Sequence, residues 1–314
     1  MLTLVELFIP FFALVLLGWV AVRRRFVPPD SLGGLNVFVL FFALPALLLR
    51  LGAGGVLSHG GFGSLLLAYG LGGAVVLAGV ALWAWRQGLG QRDAAYAALA
   101  TVFPNTGFLG LPLLMGLLGP QAAGPLAATF LVDVVLFSSL CLAWADAKAA
   151  RTALAGAMKN PLLWSMALGV AVASAGLTLP HPLDETLKML GQSATPVALF
   201  TLGGILARAQ MQAETHRKPA PVTLPVVLKL VVHPAAVLGA GWALQRAGVE
   251  ISSLGWMTLV MAAALPSASN VSMLAERARV DTGLVARIIL WTTVGALLSL
   301  ALWAHQLGLQ TPAG

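Results

Sequence analysis

Charge is scarce in this chain. Its 314 residues include 18 Lys and Arg and 11 Asp and Glu, 9% in all, where a soluble domain carries about 25%. So few charges cannot cover the surface of a water-soluble fold of this length, which excludes an ordinary globular class. Cysteine is scarcer still. Cys141 stands alone, so no intramolecular disulfide forms, and its apolar neighbours make it a buried, inert thiol. Five His scattered among apolar runs give no metal-ligand spacing, and neither a metal nor a cofactor is expected. No Walker A loop, His-Glu-x-x-His pair or Gly-x-Ser-x-Gly elbow occurs, so the chain carries none of these enzyme signatures. No basic region precedes the first apolar stretch; Arg23, Arg24 and Arg25 follow it. That order is the reverse of a cleaved leader, and we expect a retained first span that starts outside.

What fills the chain instead is apolar sequence, 59% of residues with a mean hydropathy of +0.91. The reading is an all-α polytopic membrane protein. Ten spans are expected, at about 4–22, 35–51, 62–85, 94–118, 122–145, 161–177, 187–207, 222–244, 254–275 and 283–305. The net charge of +7 sits in short loops between them, which argues against a nucleic-acid partner. With the first residue outside, fourteen of the 18 Lys and Arg fall in inside loops. Arg50, Lys188 and Arg246 fall outside, and Lys229 within the eighth span. Cytoplasmic loops carry this excess, so both termini are expected on the non-cytoplasmic side of the cytoplasmic (inner) membrane.

Two spans are interrupted. The run 100–112 holds Pro104, Asn105, Thr106, Gly107 and Gly110; the run 263–273 holds Pro266, Ser267, Ser269, Asn270 and Ser272. Proline removes an N–H and breaks the helix. In hydrocarbon the freed groups need protein, water or ligand as partners. The N-terminal end of a resumed half-helix attracts anions, and the C-terminal end of the first half offers carbonyls to a cation. The plainer alternative is a pair of proline kinks whose polar side chains cap local backbone. The breaks fall in the fourth and ninth spans, so two five-span repeats are expected, 1–155 and 156–314, the second inverted because five is odd. Pro45 and Pro196, in the second and seventh spans, echo the same spacing.

Three ionisable residues lie deep in spans. Asp133 is midway along the fifth, where a carboxylate is costly and usually faces a cavity or partner. It is a candidate for coupling to H⁺ or Na⁺. Lys229 and His233, four apart, share a face of the eighth span. They are further coupling candidates, although Lys229 is near enough to the cytoplasmic end to snorkel there and His233 has a structural hydrogen bond as its plainer reading. Glu6 and Arg50 are expected at the interface, and Trp83, Trp85 and Trp164 as interfacial anchors.

Phe103-Pro104-Asn105-Thr106-Gly107-Phe108-Leu109-Gly110-Leu111-Pro112, followed in the second half by Leu265-Pro266-Ser267-Ala268-Ser269-Asn270, resembles the auxin efflux carrier family, which includes plant auxin exporters and bacterial malonate-type permeases. The resemblance covers the whole chain in span count and order, and its first motif is the more specific. It implies an inverted five-plus-five fold with crossed broken helices, similar to bile-acid symporters and Na⁺/H⁺ antiporters. It implies a scaffold of spans 1, 2, 6 and 7, a mobile transport domain of spans 3–5 and 8–10, an elevator-type motion, and a homodimer. It places a carboxylate site at Pro104, Asn105, Pro266 and Asn270. The long central hydrophilic loop of the plant members is missing, as in the bacterial ones.

The expected function is secondary transport of a small organic anion, a mono- or dicarboxylate. Asn105, Thr106, Gly107, Ser267, Ser269 and Asn270 would surround it. The other readings are a cation/proton exchanger on the same architecture, disfavoured by breaks without Asp or Glu, and a membrane sensor that moves nothing. An intramembrane protease would need a second Asp at the depth of Asp133, and none is evident.

Overall fold

The computed structural model describes residues 2–55, 62–146, 151, 155–156, 158–212 and 220–309. The connections at 148–160 and 208–221, read from sequence as the repeat boundary and a cytoplasmic loop, lie partly outside these. Among the described residues the chain is helical, and the one β-bridge is an isolated antiparallel pair, Pro104 with Ser267.

We number the helices in chain order: α1 (Leu2–Arg23), α2 (Pro29–Ala53), α3 (Phe62–Arg86), α4 (Gln91–Val102), α5 (Thr106–Leu118), α6 (Pro120–Ala145), α7 (Pro161–Ser174), α8 (His181–Gln212), α9 (Thr223–Arg246), α10 (Ser253–Ala263), α11 (Asn270–Ala278) and α12 (Thr282–Gln306). Six of them, α2, α3, α6, α8, α9 and α12, are long and apolar enough to cross a membrane. Their apolar windows are only 39 to 61% buried by protein. Residues such as Leu17, Leu168, Val294 and Leu298 lie outward and more than half exposed. Hydrocarbon is the solvent that suits such a surface.

Helices meet where side chains are missing. Packing in lipid favours small residues at crossings because tails compete equally for larger ones. α1 lies on α8, and a Cβ on Gly203 would fall on the carbonyl oxygen of Val15, one on Gly18 on the backbone of Phe200. α2 lies on α7, where Gly52 and Gly169 abut backbone to backbone. α3 lies on α9, with Gly72 against Val237. Gly203→Ala is therefore expected to destabilise. The usual helical gain of about 1 kcal/mol for Gly to Ala is outweighed by overpacking of about 1–3 kcal/mol or more. Gly239→Ala, whose Cβ would meet nothing, is expected to be neutral or stabilising. Thermal unfolding in detergent distinguishes the two; equal shifts would refute the close crossing.

Among the described residues four helices contain a widened π-helical turn: Val39–Ala43, Thr106–Gly110, Val132–Phe137 and Leu228–Val232. Three end two residues before a proline (Pro45, Pro112, Pro234), whose missing N–H leaves the carbonyl four residues back without its helical donor. At Pro234 that carbonyl belongs to Leu230, and α12 supplies the partners: Ser299 Oγ donates to it at 2.7 Å and Trp303 Nε1 at 3.0 Å. The fourth turn has no proline. It carries Asp133 instead, and such turns recur at functional positions.

Several sequence expectations change. Trp83 is 3% exposed and belongs to the core, whereas Trp85 and Trp164 face outward at 77% and 61%. A tryptophan two residues from another on one helix cannot share its face. α8 is one continuous helix through Pro196 and runs beyond the expected span at both ends. Arg50 is not merely interfacial: its Nε and Nη2 donate to Asp184 at 2.6 and 3.0 Å, joining the end of α2 to the start of α8. Cys141 is buried.

Candidate functional site

The break between α4 and α5 meets the break between α10 and α11. Phe103, the end of α4, and Ala268, ahead of α11, are joined by a bond from the Ala268 N–H to the Phe103 carbonyl, 2.9 Å. The Asn105 N–H donates to the Pro266 carbonyl at 2.8 Å. These two bonds flank the facing pair Pro104 and Ser267. In an antiparallel ladder the flanked pair exchanges no bonds of its own, so Pro104 occupies a position that needs no N–H. Ser267 has one, directed away, and it donates to Thr292 Oγ1 on α12 at 3.1 Å. Thr292 in turn donates into its own helix. One residue of α12 thus anchors the crossing, and sequence reasoning missed it because a Thr in an apolar helix gives no signal.

The side chains at the crossing remain largely unused. Asn105 precedes α5 but makes no side-chain cap. It is 3% exposed, and its Nδ2 has no hydrogen-bond partner. The hydroxyls of Thr106, Ser267 and Ser269 are likewise buried and unpartnered. Ser269 precedes α11 without capping it, and Ser272 Oγ donates to the Ser269 carbonyl at 2.7 Å. Buried polar atoms are normally satisfied, and an orphan costs about 1–3 kcal/mol. Four orphans at one backbone crossing mark a place built for something polar.

A cavity of about 940 Å³ opens onto this crossing. Pro104, Asn105, Gly107, Ala268 and Asn270 line its floor, and Phe103, Phe108, Phe130 and Leu274 its walls. Tyr96 and Ser138 add hydroxyls, and Arg92, Asp146, Lys159 and Arg277 line it further out. Thr106, Pro266, Ser267 and Ser269 sit behind the floor and do not line it. Two half-helices, α5 and α11, start at the floor, and the first N–H groups of a helix have no intrahelical partner.

The coupling candidates form a second cluster behind the breaks and do not line the cavity. Asp133 is 1% exposed and accepts from the Tyr69 hydroxyl, at 3.1 Å to Oδ1 and 3.4 Å to Oδ2. The Tyr69 ring lies against His233, centroids 5.5 Å apart. Lys229 donates to His233 Nδ1 at 3.1 Å and to the Ala263 carbonyl at 3.2 Å. This corrects the snorkelling expectation: Lys229 is fully buried, its stem directed to the last residue of α10. With Nδ1 accepting, a neutral His233 carries its proton on Nε2, which has no partner. Tyr69 is the residue that sequence reading overlooked here. Its signal was rarity, for the chain has two tyrosines and this one lies mid-span.

The chain is similar in sequence to known membrane transport proteins. A family model described as "Membrane transport protein" matches residues 3–151 and 146–304. A proposed malonate transporter of Rhizobium meliloti (strain 1021) is 30% identical over 303 residues, 92% of this chain and 91% of the relative. The uncharacterized transporter YfdV of Escherichia coli (strain K12) is 25% identical over 95% of each chain. A proposed auxin efflux carrier component, 1d, of Oryza sativa subsp. japonica is 29% identical over 157 residues, 46% of this chain and 27% of the relative. The protein is a multi-pass membrane protein, and it belongs to the membrane transport protein family to which the auxin efflux carriers also belong.

Proposed function

We propose that the protein is a secondary active transporter that carries a small organic anion, a mono- or dicarboxylate of the malonate or auxin type, across the cytoplasmic membrane. The substrate binds at the crossing of the α4/α5 and α10/α11 breaks. The observation that carries this reading is the set of four unpartnered buried polar atoms at the crossing, on Asn105, Thr106, Ser267 and Ser269, with Asn105 itself on the cavity floor. Amide and hydroxyl donors with helix N-termini suit a carboxylate, and among the described residues no acidic side chain lines the floor.

Ten spans arranged as two inverted repeats, 1–155 and 156–314, accommodate the same features. α1 on α8 and α2 on α7 are then counterpart contacts, each made through paired glycines. In this arrangement α1, α2, α7 and α8 form the scaffold of a homodimer and the remaining helices carry the substrate in an elevator-type motion. The cavity opens to the cytoplasm, where Arg92, Lys159 and Arg277 lie, and both termini are outside. The Lys229 ammonium supplies positive charge at the C-terminal end of α10, where the dipole is negative and carbonyls are free. Na⁺ is then not required at that place, and coupling, if any, is to H⁺ through the Asp133 cluster.

A thermal-shift screen of purified protein against carboxylates, with and without Na⁺, tests the reading. One carboxylate is expected to stabilise the protein with or without Na⁺. Stabilisation by Na⁺ alone would favour the cation exchanger, and binding without transport in liposomes a sensor.

A further inference from the structure

The charged end of the cavity is a feature the crossing site does not use. Arg92 is in the first turn of α4, Arg277 in the last turn of α11, and Lys159 just before α7; Asp146 follows α6. These are the charged residues among the described lining of the cavity, three cations to one carboxylate. Arg92 pairs loosely with Asp146, Nη2 to Oδ2 at 3.8 Å. The Asp281 N–H donates to Asp93 Oδ1 at 3.0 Å, which holds the start of α4 beside the turn after α11 and so keeps Arg92 and Arg277 on one rim.

The rim and the floor are separate places. Asn270, Leu274 and Arg277 follow one face of α11, and at 1.5 Å per residue Arg277 is about 10 Å above Asn270. Arg92 is about 15 Å of helix from the end of α4 by the same measure. Both helical separations exceed the length of a small mono- or dicarboxylate held at Asn105. Between rim and floor the wall is mainly aromatic and aliphatic, Phe130, Leu142 and Leu274. A funnel with low-dielectric walls and a net positive charge at its mouth focuses its field and raises the local concentration of anions.

We propose that Arg92, Lys159 and Arg277 form a capture site for organic anions at the mouth of the cavity, distinct from the crossing, and that Asp146 restrains it by holding Arg92. This deepens the proposed function and rests on it. The capture site recognises the carboxylate charge and the floor recognises its hydrogen-bonding shape. It loads the transporter from the side on which Arg277 lies, so it lowers KM for transport out of that compartment and leaves the turnover step alone.

The test is uptake of radiolabelled malonate into inside-out vesicles at low and high ionic strength. For the wild type, KM is expected to rise about three- to tenfold with salt while kcat holds, because exposed charges are screened beyond about 10 Å at 0.1 M. The double variant Lys159→Gln/Arg277→Gln is expected to show the raised KM at low salt and no further rise. Arg277→Lys, which keeps the charge, is expected to behave as wild type. Asp146→Asn is expected to lower KM at low salt, a change of opposite sign that a folding defect does not produce. Wild-type KM and salt dependence in the double variant would overturn the capture site and leave the crossing intact. Normal uptake by Asn105→Ala with a raised KM in the double variant would overturn the crossing and leave the capture site. No malonate uptake by the wild type under any salt overturns both.

Discussion

Asn105→Asp is expected to abolish carboxylate transport while the protein remains folded. The substitution is isosteric, so the Phe103–Ala268 and Asn105–Pro266 backbone bonds persist. What changes is the side chain at the cavity floor. The Nδ2 donor, buried and unpartnered, becomes an acceptor oxygen with negative charge. A like charge about 4 Å from a bound carboxylate costs about 4 kcal/mol at an effective dielectric of 20, and loss of a hydrogen bond to a charged group costs about 1.5–3 kcal/mol more. Affinity should fall by about a thousandfold or more, which places it beyond detection in a thermal-shift titration. Asn105→Ala loses only the donor and should fall by about ten- to a hundredfold. The pair discriminates between substrates of opposite sign, because a cation exchanger should tolerate or profit from the new carboxylate. Retained anion binding in Asn105→Asp would sink the crossing site; tighter Na⁺ binding would move the exchanger to first place.

The parts of this architecture that were legible in the sequence are those with a backbone cause. Pro104 and Pro266 announce breaks because proline cannot continue a helix in any environment, and each lies inside the break it announces. Long apolar runs announce spans because lipid demands them. Partners were not legible. Nothing in residues 103–105 says that they pair with 266–268, since the bonds are backbone to backbone, and any residue offers the carbonyl and any but proline the N–H. Thr292 is invisible for the same reason: its role depends on Ser267 turning its N–H outward. The shared face of Lys229 and His233 follows from helical spacing, but not the direction of the lysine stem. Distance to the nearest loop pointed outward, while the carbonyl of Ala263, 34 residues away in sequence, directs it inward. Trp83 shows the same limit: a tryptophan near a span end fits an interfacial belt and a packed core equally well until its neighbours are known.

Lys229→Met is expected to be the most destabilising single change in the transport core, and Asp133→Asn to rescue it. Lys229 holds the carbonyl of Ala263 and the Nδ1 of His233, and the His233 ring lies against Tyr69, whose hydroxyl donates to Asp133. Methionine fills a similar volume without the ammonium. It leaves an acceptor on His233 and a carbonyl at the end of α10 unbonded, and it removes the cation from the cluster in which the Asp133 carboxyl accepts from Tyr69. An acceptor left buried and unbonded costs about 1–3 kcal/mol, and a buried carboxylate whose cluster loses its cation adds to that cost. Removing that charge as well, by Asp133→Asn, keeps the Tyr69 bond and relieves the penalty. The double variant should therefore recover about half or more of the lost stability, a coupling energy read from a double-mutant cycle in thermal unfolding. Additive losses would mean that the two residues do not sense each other. The functional outcome separates structure from coupling. If the rescued variant transports a carboxylate but no longer responds to a pH gradient, the cluster carries the proton; if it transports with the wild-type gradient dependence, the cluster only closes the helix end at the crossing.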